Sequence, residues 1–169
     1  MRVITGTARG RKLETVDGLD VRPTTSKVKE AVFSAIQFEI EGARVLDLFC
    51  GSGQMGIEAL SRGAALCVFV DSARSSQDVT KRNLMTTGLF SSARVAAMDY
   101  KDFLRTTKEK FDIVFMDPPY SQGMAQDAMQ LLVDKTWTGN IRELRNVMER
   151  LLILSGDRIT ADDVRAYVL

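Results

Sequence analysis

At 169 residues, 45% hydrophobic and 27% charged, the chain has the size and composition of one globular domain with a single core. It has no histidine, and its two cysteines, Cys50 and Cys67, lie far apart; this excludes His-based triads, argues against a metal centre or a disulfide scaffold, and fits a reducing, cytoplasmic setting. The net charge of +1 excludes no partner by itself, no apolar run approaches membrane-spanning length, and MRVITGTARGRKL lacks the apolar centre of a signal peptide.

Residues 1–22 read as short basic strands punctuated by Gly6, Gly10 and Gly18. Arg2, Arg9, Arg11 and Lys12 all precede the first acid, Glu14, and the cluster reads equally as a solvated strand or as a nucleic-acid contact. In RPTTSKVKEAVFSAIQ, Pro23 and the following Thr24, Thr25 and Ser26 mark a helix start. Val28, Ala31, Val32, Ala35 and Ile36 recur as one apolar face, and Gly42 closes the helix. A regular alternation follows: the apolar runs ARVLDLF, ALCVFVD, ARVAAMD and FDIVFMD are separated by helical stretches. Such an order predicts an α/β fold with a mostly parallel sheet covered on both faces. Each run ends in or near an acid (Asp47, Asp71, Asp99, Asp117), which places four carboxylates on the rim of one crevice at the carboxyl ends of the strands.

LDLFCGSGQMG sets Gly51-x-Gly53-x-x-Gly56 between a strand and a helix, a spacing that is weak evidence alone but allows close backbone approach to a ligand. With Asp71 placed to take ribose hydroxyls, a dinucleotide and S-adenosylmethionine (SAM) both remain. Asp47, just ahead of the glycines, favours SAM, because a carboxylate repels a diphosphate and attracts a sulfonium and an ammonium. Asp99 suits the adenine amine, and Phe49, Ser72 and Tyr100 belong to the same expected cofactor site. Without histidine, any general base is a carboxylate, an amine, a tyrosine or water.

DLFCGSGQMGIEALSRGA and FDIVFMDPPY, preceded by RVITGTARGRKL and RPTTSKVKEAVF, resemble the bacterial family that methylates the N2 amine of a guanine in small-subunit (16S) ribosomal RNA. The resemblance runs from Met1 to about Leu132. It implies a Rossmann-like SAM-dependent methyltransferase fold, SAM as cofactor and ribosomal RNA as partner. In that setting Asp117 and the carbonyl of Pro118 accept the two hydrogens of the amine, Pro118 and Pro119 stiffen the acceptor pair, and Tyr120 stacks on the base. The resemblance also places Arg22, Thr24 and Lys27 near the methionine end of the cofactor, and Arg2, Arg9, Arg11 and Lys12 against RNA phosphates. Cys50 reads as packing.

After the helical MAQDAMQLLVDK the expected pattern stops: the sheet reads as truncated after its fourth strand and is followed by a small helical segment. Ile141, Leu144, Val147, Met148 and Leu151 recur at helical spacing, and Thr160 caps a last short helix. Residues 137–169 resemble the helical lid of AAA+ activators of alternative-sigma-factor transcription, through Trp137, Gly139, Asn140 and Arg142, with Thr138 in place of the usual proline. With no GxxxxGK[ST] motif, Arg142 has no nucleotide to sense and an ATPase reading fails. The chain therefore reads as a methyltransferase domain over 1–133 joined, near 124–136, to a helical segment over 134–169. Leu144, Val147, Met148, Leu151 and Leu152 are expected to cover the sheet edge or to form a homodimer contact. A silent SAM- and RNA-binding protein, or a helical interaction module, are the competing expectations.

Overall fold

The computed structural model describes residues 1–16, 26–118 and 124–133. The four apolar runs form parallel strands β1 (Arg44–Leu48), β2 (Leu66–Asp71), β3 (Ala93–Ala97) and β4 (Ile113–Met116). Helix α1 (Ser26–Ala35) precedes β1; α2 (Gln54–Ser61), α3 (Arg74–Thr87) and α4 (Tyr100–Thr106) make the crossovers; α5 (Met124–Val133) follows β4. The α/β architecture and the parallel sheet are as the sequence predicts.

The reason is visible strand by strand. Val45, Cys67, Phe69, Ile113 and Phe115 face one core with Phe33, Ile57, Leu60 and Leu84 of α1, α2 and α3. Their alternating neighbours Leu46, Leu48, Val68, Val70, Val114 and Met116 face a second core with Phe103, Leu104, Ala128 and Leu132 of α4 and α5. Strands buried on both sides need apolar residues at nearly every position, which is why the runs of β1, β2 and β4 are continuous, whereas edge strand β3 is partly exposed.

The strand order is β3-β2-β1-β4. The chain winds outward from β1 to β3 and then returns to lay β4 on the other side of β1, so the direction of winding reverses between β1 and β4. Leu48 is in register with both Val70 and Met116, so β1 and β4 end flush and β2 runs one residue further, to Asp71. Crevices at such reversals, beyond the carboxyl ends, are where open α/β sheets bind ligands.

Three details depart from expectation. Within residues 1–16 the basic strands reduce to a single antiparallel bridge between Arg2 and Lys12. Gly6 and Gly10 have φ of 86° and 81°, so the chain turns where a strand would continue. On α1 the buried face is Lys29, Val32, Phe33 and, just past the helix, Ile36, whereas Ala31 and Ala35 are exposed. A charged residue has taken a core position because a carboxylate waits for it there, as described below. Lastly, α1 ends at Ala35, and Gly42 (φ 75°) serves the turn into β1 instead of the helix end.

The helical segment over 134–169, its cover of the sheet edge and its dimer contact lie outside the described residues, as does Gly18. Among the described residues no helix is long and apolar enough to cross a membrane.

Candidate functional site

At the end of β1 the backbone must turn sharply to enter α2. Phe49 adopts φ 65°, Gly51 54° and Gly53 75°. For phenylalanine the left-handed region is a strained conformation. Its ring packs against that of Tyr100 at 4.8 Å, a contact that holds it there. Gly51 and Gly56 illustrate two separate needs for glycine. A Cβ on Gly56 would collide with the Phe69 ring and the Cys67 sulfur, so this glycine lets α2 lie against the sheet. A Cβ on Gly51 would meet no atom of the described residues within 4 Å, so among them this glycine borders open space.

The loop carries no side-chain anchor of its own at the glycines and is held from α3. Thr80 Oγ1 donates to the Gly51 carbonyl at 2.9 Å, and Asn83 Nδ2 donates to the Ser52 carbonyl at 2.9 Å. Asp71, at the end of β2, accepts from Gly51 N on one oxygen and from Ala73 N on the other, both at 2.9 Å. It ties the glycine loop to the start of α3; each carboxylate oxygen keeps a second lone pair for a ligand donor.

Asp47 is 4% exposed and accepts from Gly56 N at 2.9 Å. Burial pushes its carboxyl up to about 8, against the opposing Gly56 N–H, and the nearby Asp117 and Asp71 carboxylates add to the rise. Three of the four strand-end acids therefore share one electrostatic neighbourhood. Burial thus favours the protonated form of Asp47, whereas a cationic group beside it favours the ionised form and brings out the charge that the sequence suggested. Asp99, the fourth acid, is exposed and caps α4, accepting from Lys101 N at 2.8 Å.

Asp117 and Pro118 follow β4 directly. Because Leu48 pairs with Met116, Asp117 emerges beside Phe49, across from the glycine loop. Asp117 is exposed and Pro118 half-buried. Tyr100 is buried, while Lys27 and Ser72 are exposed. Arg22, Thr24, Pro119 and Tyr120 lie outside the described residues. Arg2, Arg9, Arg11 and Lys12 are all exposed, and among the described residues none of the four is paired with an acid. Burial pushes the Cys50 and Cys67 thiols well above their ordinary value, which makes both poor nucleophiles and agrees with packing roles.

Sequence patterns alone did not single out Thr80, Asn83, Gln54, Lys29 or Glu58. Glu58 is wholly buried and accepts from Ile4 N (2.8 Å), Thr5 N (2.9 Å), Lys29 Nζ (3.0 Å) and Arg62 Nε (3.0 Å). Burial pushes Glu58 up, but the Ile4 N–H, Lys29 and Arg62 outweigh it and hold the carboxyl below its usual range; burial pulls Lys29 down. A signal existed for Thr80 and Asn83. They stand with Ser76, Gln77, Val79 and Leu84 on the face that helical spacing turns inward, and polar residues there need partners.

The fold and this loop fit SAM on two observations. The space above Gly51 admits a ligand that the backbone itself can touch. Gln54 Oε1, on the first residue of α2, is buried without a hydrogen-bond partner among the described residues and so can accept from a ligand donor. The doubly covered parallel sheet, its winding reversal and the acid-flanked glycine turn define a Rossmann-like SAM-dependent methyltransferase.

The family model described as "Conserved hypothetical protein 95" matches residues 1–145, and the chain belongs to that family. It is 43% identical to the rRNA methyltransferase candidate YlbH of Bacillus subtilis (strain 168) over 138 residues, covering 80% of this chain and 74% of that one. It is 38% identical to ribosomal RNA small subunit methyltransferase D of Escherichia coli (strain K12) over 137 residues, 81% of this chain and 69% of that one. The solved structure of the methyltransferase candidate yhhF from Escherichia coli superposes with a TM-score of 0.74 at 38% identity, covering 83% of this chain and 76% of that one.

Proposed function

We propose that the protein transfers a methyl group from SAM to the exocyclic N2 amine of a guanine in small-subunit ribosomal RNA. The observation that carries this reading is the position of Asp117 and Pro118. They leave β4 beside the glycine loop of β1, close enough that the Asp117 charge is felt at buried Asp47. A purine amine is a poor nucleophile because its lone pair is delocalised into the ring. The Asp117 carboxylate and the Pro118 carbonyl accept its two hydrogens and favour a pyramidal nitrogen with the lone pair directed at the cofactor. SAM supplies an electrophilic methyl on a sulfonium, and the protein's contribution is chiefly to position the amine against it.

Arg22, Thr24 and Lys27 serve the methionine end of the cofactor, Asp71 and Ser72 the ribose, Asp99 and Tyr100 the adenine, and Asp47, Phe49, Gly51 and Gly53 the wall between them. Pro119 stiffens the turn and Tyr120 stacks on the base. Arg2, Arg9, Arg11 and Lys12, exposed and unpaired among the described residues, take RNA phosphates. The similarity to ribosomal RNA small subunit methyltransferase D supports the small subunit as substrate and a cytoplasmic site of action. In this reading residues 1–133 form the methyltransferase domain and 134–169 a separate helical segment resembling a AAA+ lid.

The test is methyl transfer from labelled SAM to unmethylated small ribosomal subunits. The wild type incorporates label into ribosomal RNA. Asp117→Ala lowers the rate by about 100-fold or more, the scale of a lost group that acts on the reacting proton. It leaves the affinity for S-adenosylhomocysteine (SAH) within a few-fold. Wild-type activity in Asp117→Ala, or cofactor binding with no transfer by the wild type, overturns the proposal.

A further inference from the structure

The segment that carries the basic residues is fastened to the domain mainly by side chains, together with one backbone bond from Thr7 N to the Ser61 carbonyl (2.8 Å) and, among the described residues, no strand ladder beyond one bridge. Its first fastening is structural: Ile4 N and Thr5 N donate to Glu58, while Ala8 N donates to Ser61 Oγ at 3.0 Å. Its last fastening is of another kind. Glu14 N donates to Asn83 Oδ1 at 2.8 Å, and Asn83 Nδ2 donates back to the Glu14 carbonyl at 3.0 Å. The second hydrogen of the same Nδ2 goes to the Ser52 carbonyl, inside the glycine loop, at 2.9 Å.

Asn83 is 1% exposed, so no water replaces a lost partner easily. One acceptor and two donors are all used, and no other side chain of that length offers this set. An aspartate would set a carboxylate against two carbonyls; a leucine would leave three backbone groups unpaired. One helical turn earlier, Thr80 holds the Gly51 carbonyl, so α3 presents two adjacent grips to the loop. Only the Asn83 grip also holds the N-terminal segment.

We propose that Asn83 is a positioning residue that joins the RNA-facing basic segment to the glycine loop, so that RNA and cofactor bind cooperatively. The proposal rests on the RNA methyl-transfer reading above. RNA bound to Arg2, Arg9, Arg11 and Lys12 immobilises the segment up to Glu14. An immobile Glu14 fixes the Asn83 amide, and a fixed amide fixes the Ser52 carbonyl and the peptide plane that leads into Gly53. The ordering cost of the loop is then met once and not twice, which is the physical content of positive coupling. Coupling is reciprocal, so bound cofactor tightens RNA by the same factor. The neighbouring Arg82–Glu14 ion pair (2.8 Å) supplies an internal control, since both side chains are more than half exposed and such pairs contribute little.

The experiment measures SAH affinity of the full chain by calorimetry, with and without saturating unmethylated small-subunit RNA, alongside the transfer assay. For the wild type, RNA tightens SAH several-fold. Asn83→Asp brings that factor to about one and weakens SAH alone by roughly ten-fold, the scale of a lost buried hydrogen bond. Arg82→Ala keeps the wild-type factor. Glu14→Pro removes the N–H that Asn83 accepts, together with the carboxylate that Arg82→Ala controls for, and spares the Glu14 carbonyl and Ser52 bonds, so it lowers the coupling factor while keeping SAH affinity; it also serves where Asn83→Asp fails to fold. Wild-type coupling in either Asn83→Asp or Glu14→Pro, or equal loss in Arg82→Ala, overturns the inference. Wild-type methyl transfer with a coupling factor of one overturns this inference alone, whereas no transfer at all removes the RNA reading beneath it.

Discussion

Replacing Glu58 by alanine removes the acceptor on which two backbone N–H groups, one lysine and one arginine converge. The consequences differ by partner. Arg62 is partly exposed and can turn to water, whereas Lys29 is 1% exposed and cannot. A buried cation left without its counter-charge costs about 3–5 kcal/mol, and the stranded Ile4 N–H adds about 1 kcal/mol. Glu58→Ala is therefore expected to lose about 4–6 kcal/mol, a large share of the roughly 5–15 kcal/mol that holds a domain folded. Lys29→Met leaves the carboxylate with both N–H groups and the Arg62 guanidinium, so its loss is smaller, about 1–2 kcal/mol. The double variant costs less than the sum by about 2 kcal/mol, because no lysine remains to be stranded. Urea unfolding followed by far-ultraviolet circular dichroism at pH 7 gives all three numbers. A Glu58→Ala loss below about 1 kcal/mol, or one equal to that of Lys29→Met, would refute the view that the carboxylate is the hub and the lysine one of its spokes.

Two further perturbations address the site itself. Asp47 has a folded value near 8, above its ordinary 3.8, so the folded state keeps a proton that the unfolded chain gives up. Its contribution to stability is thus lost as pH rises from about 4 to about 8. Asp47→Asn should gain thermal stability relative to wild type across that range and then run parallel to it; a difference in melting temperature independent of pH refutes the burial argument. Gly51→Ala and Gly56→Ala should separate binding from folding. Gly51→Ala meets only the positive-φ penalty, about 1 kcal/mol, yet fills ligand space and should weaken SAH by more than about ten-fold. Gly56→Ala overpacks α2 against Phe69 and Cys67 and should cost about 1–3 kcal/mol in denaturant. If both variants lose stability alike and bind SAH alike, the assignment of open space above Gly51 is wrong.

The site was legible in unequal parts. Asp47 and the Gly51–Gly56 turn were readable because a sharp strand-to-helix turn demands glycine and a strand end offers a carboxylate to the ligand crevice. The partners of Asp71 and Asp99 were not. Asp71 holds Gly51 N and Ala73 N, and Asp99 caps α4, duties set by backbone geometry that spacing does not reveal. Lys29 shows the same limit on α1. Helical periodicity put Ala31 and Ala35 on the inner face with Val28, Val32 and Ile36, yet Lys29 is buried there in place of the alanines because Glu58, 29 positions later, neutralises the buried charge.

What the amino-acid sequence determined by itself is what depends on local or periodic chemistry. That includes the alternation of apolar runs and helices, the glycine turn, the acids at the strand ends, and the order of motifs carrying the family resemblance. What only the tertiary structure decided is which distant polar groups meet. The reversal of winding beside β1, the burial of Lys29 against Glu58, and the bridge that Asn83 makes between Glu14 and Ser52 all join positions tens of residues apart. A buried polar side chain is stable only with its partner, and the sequence around it carries no sign of where that partner lies.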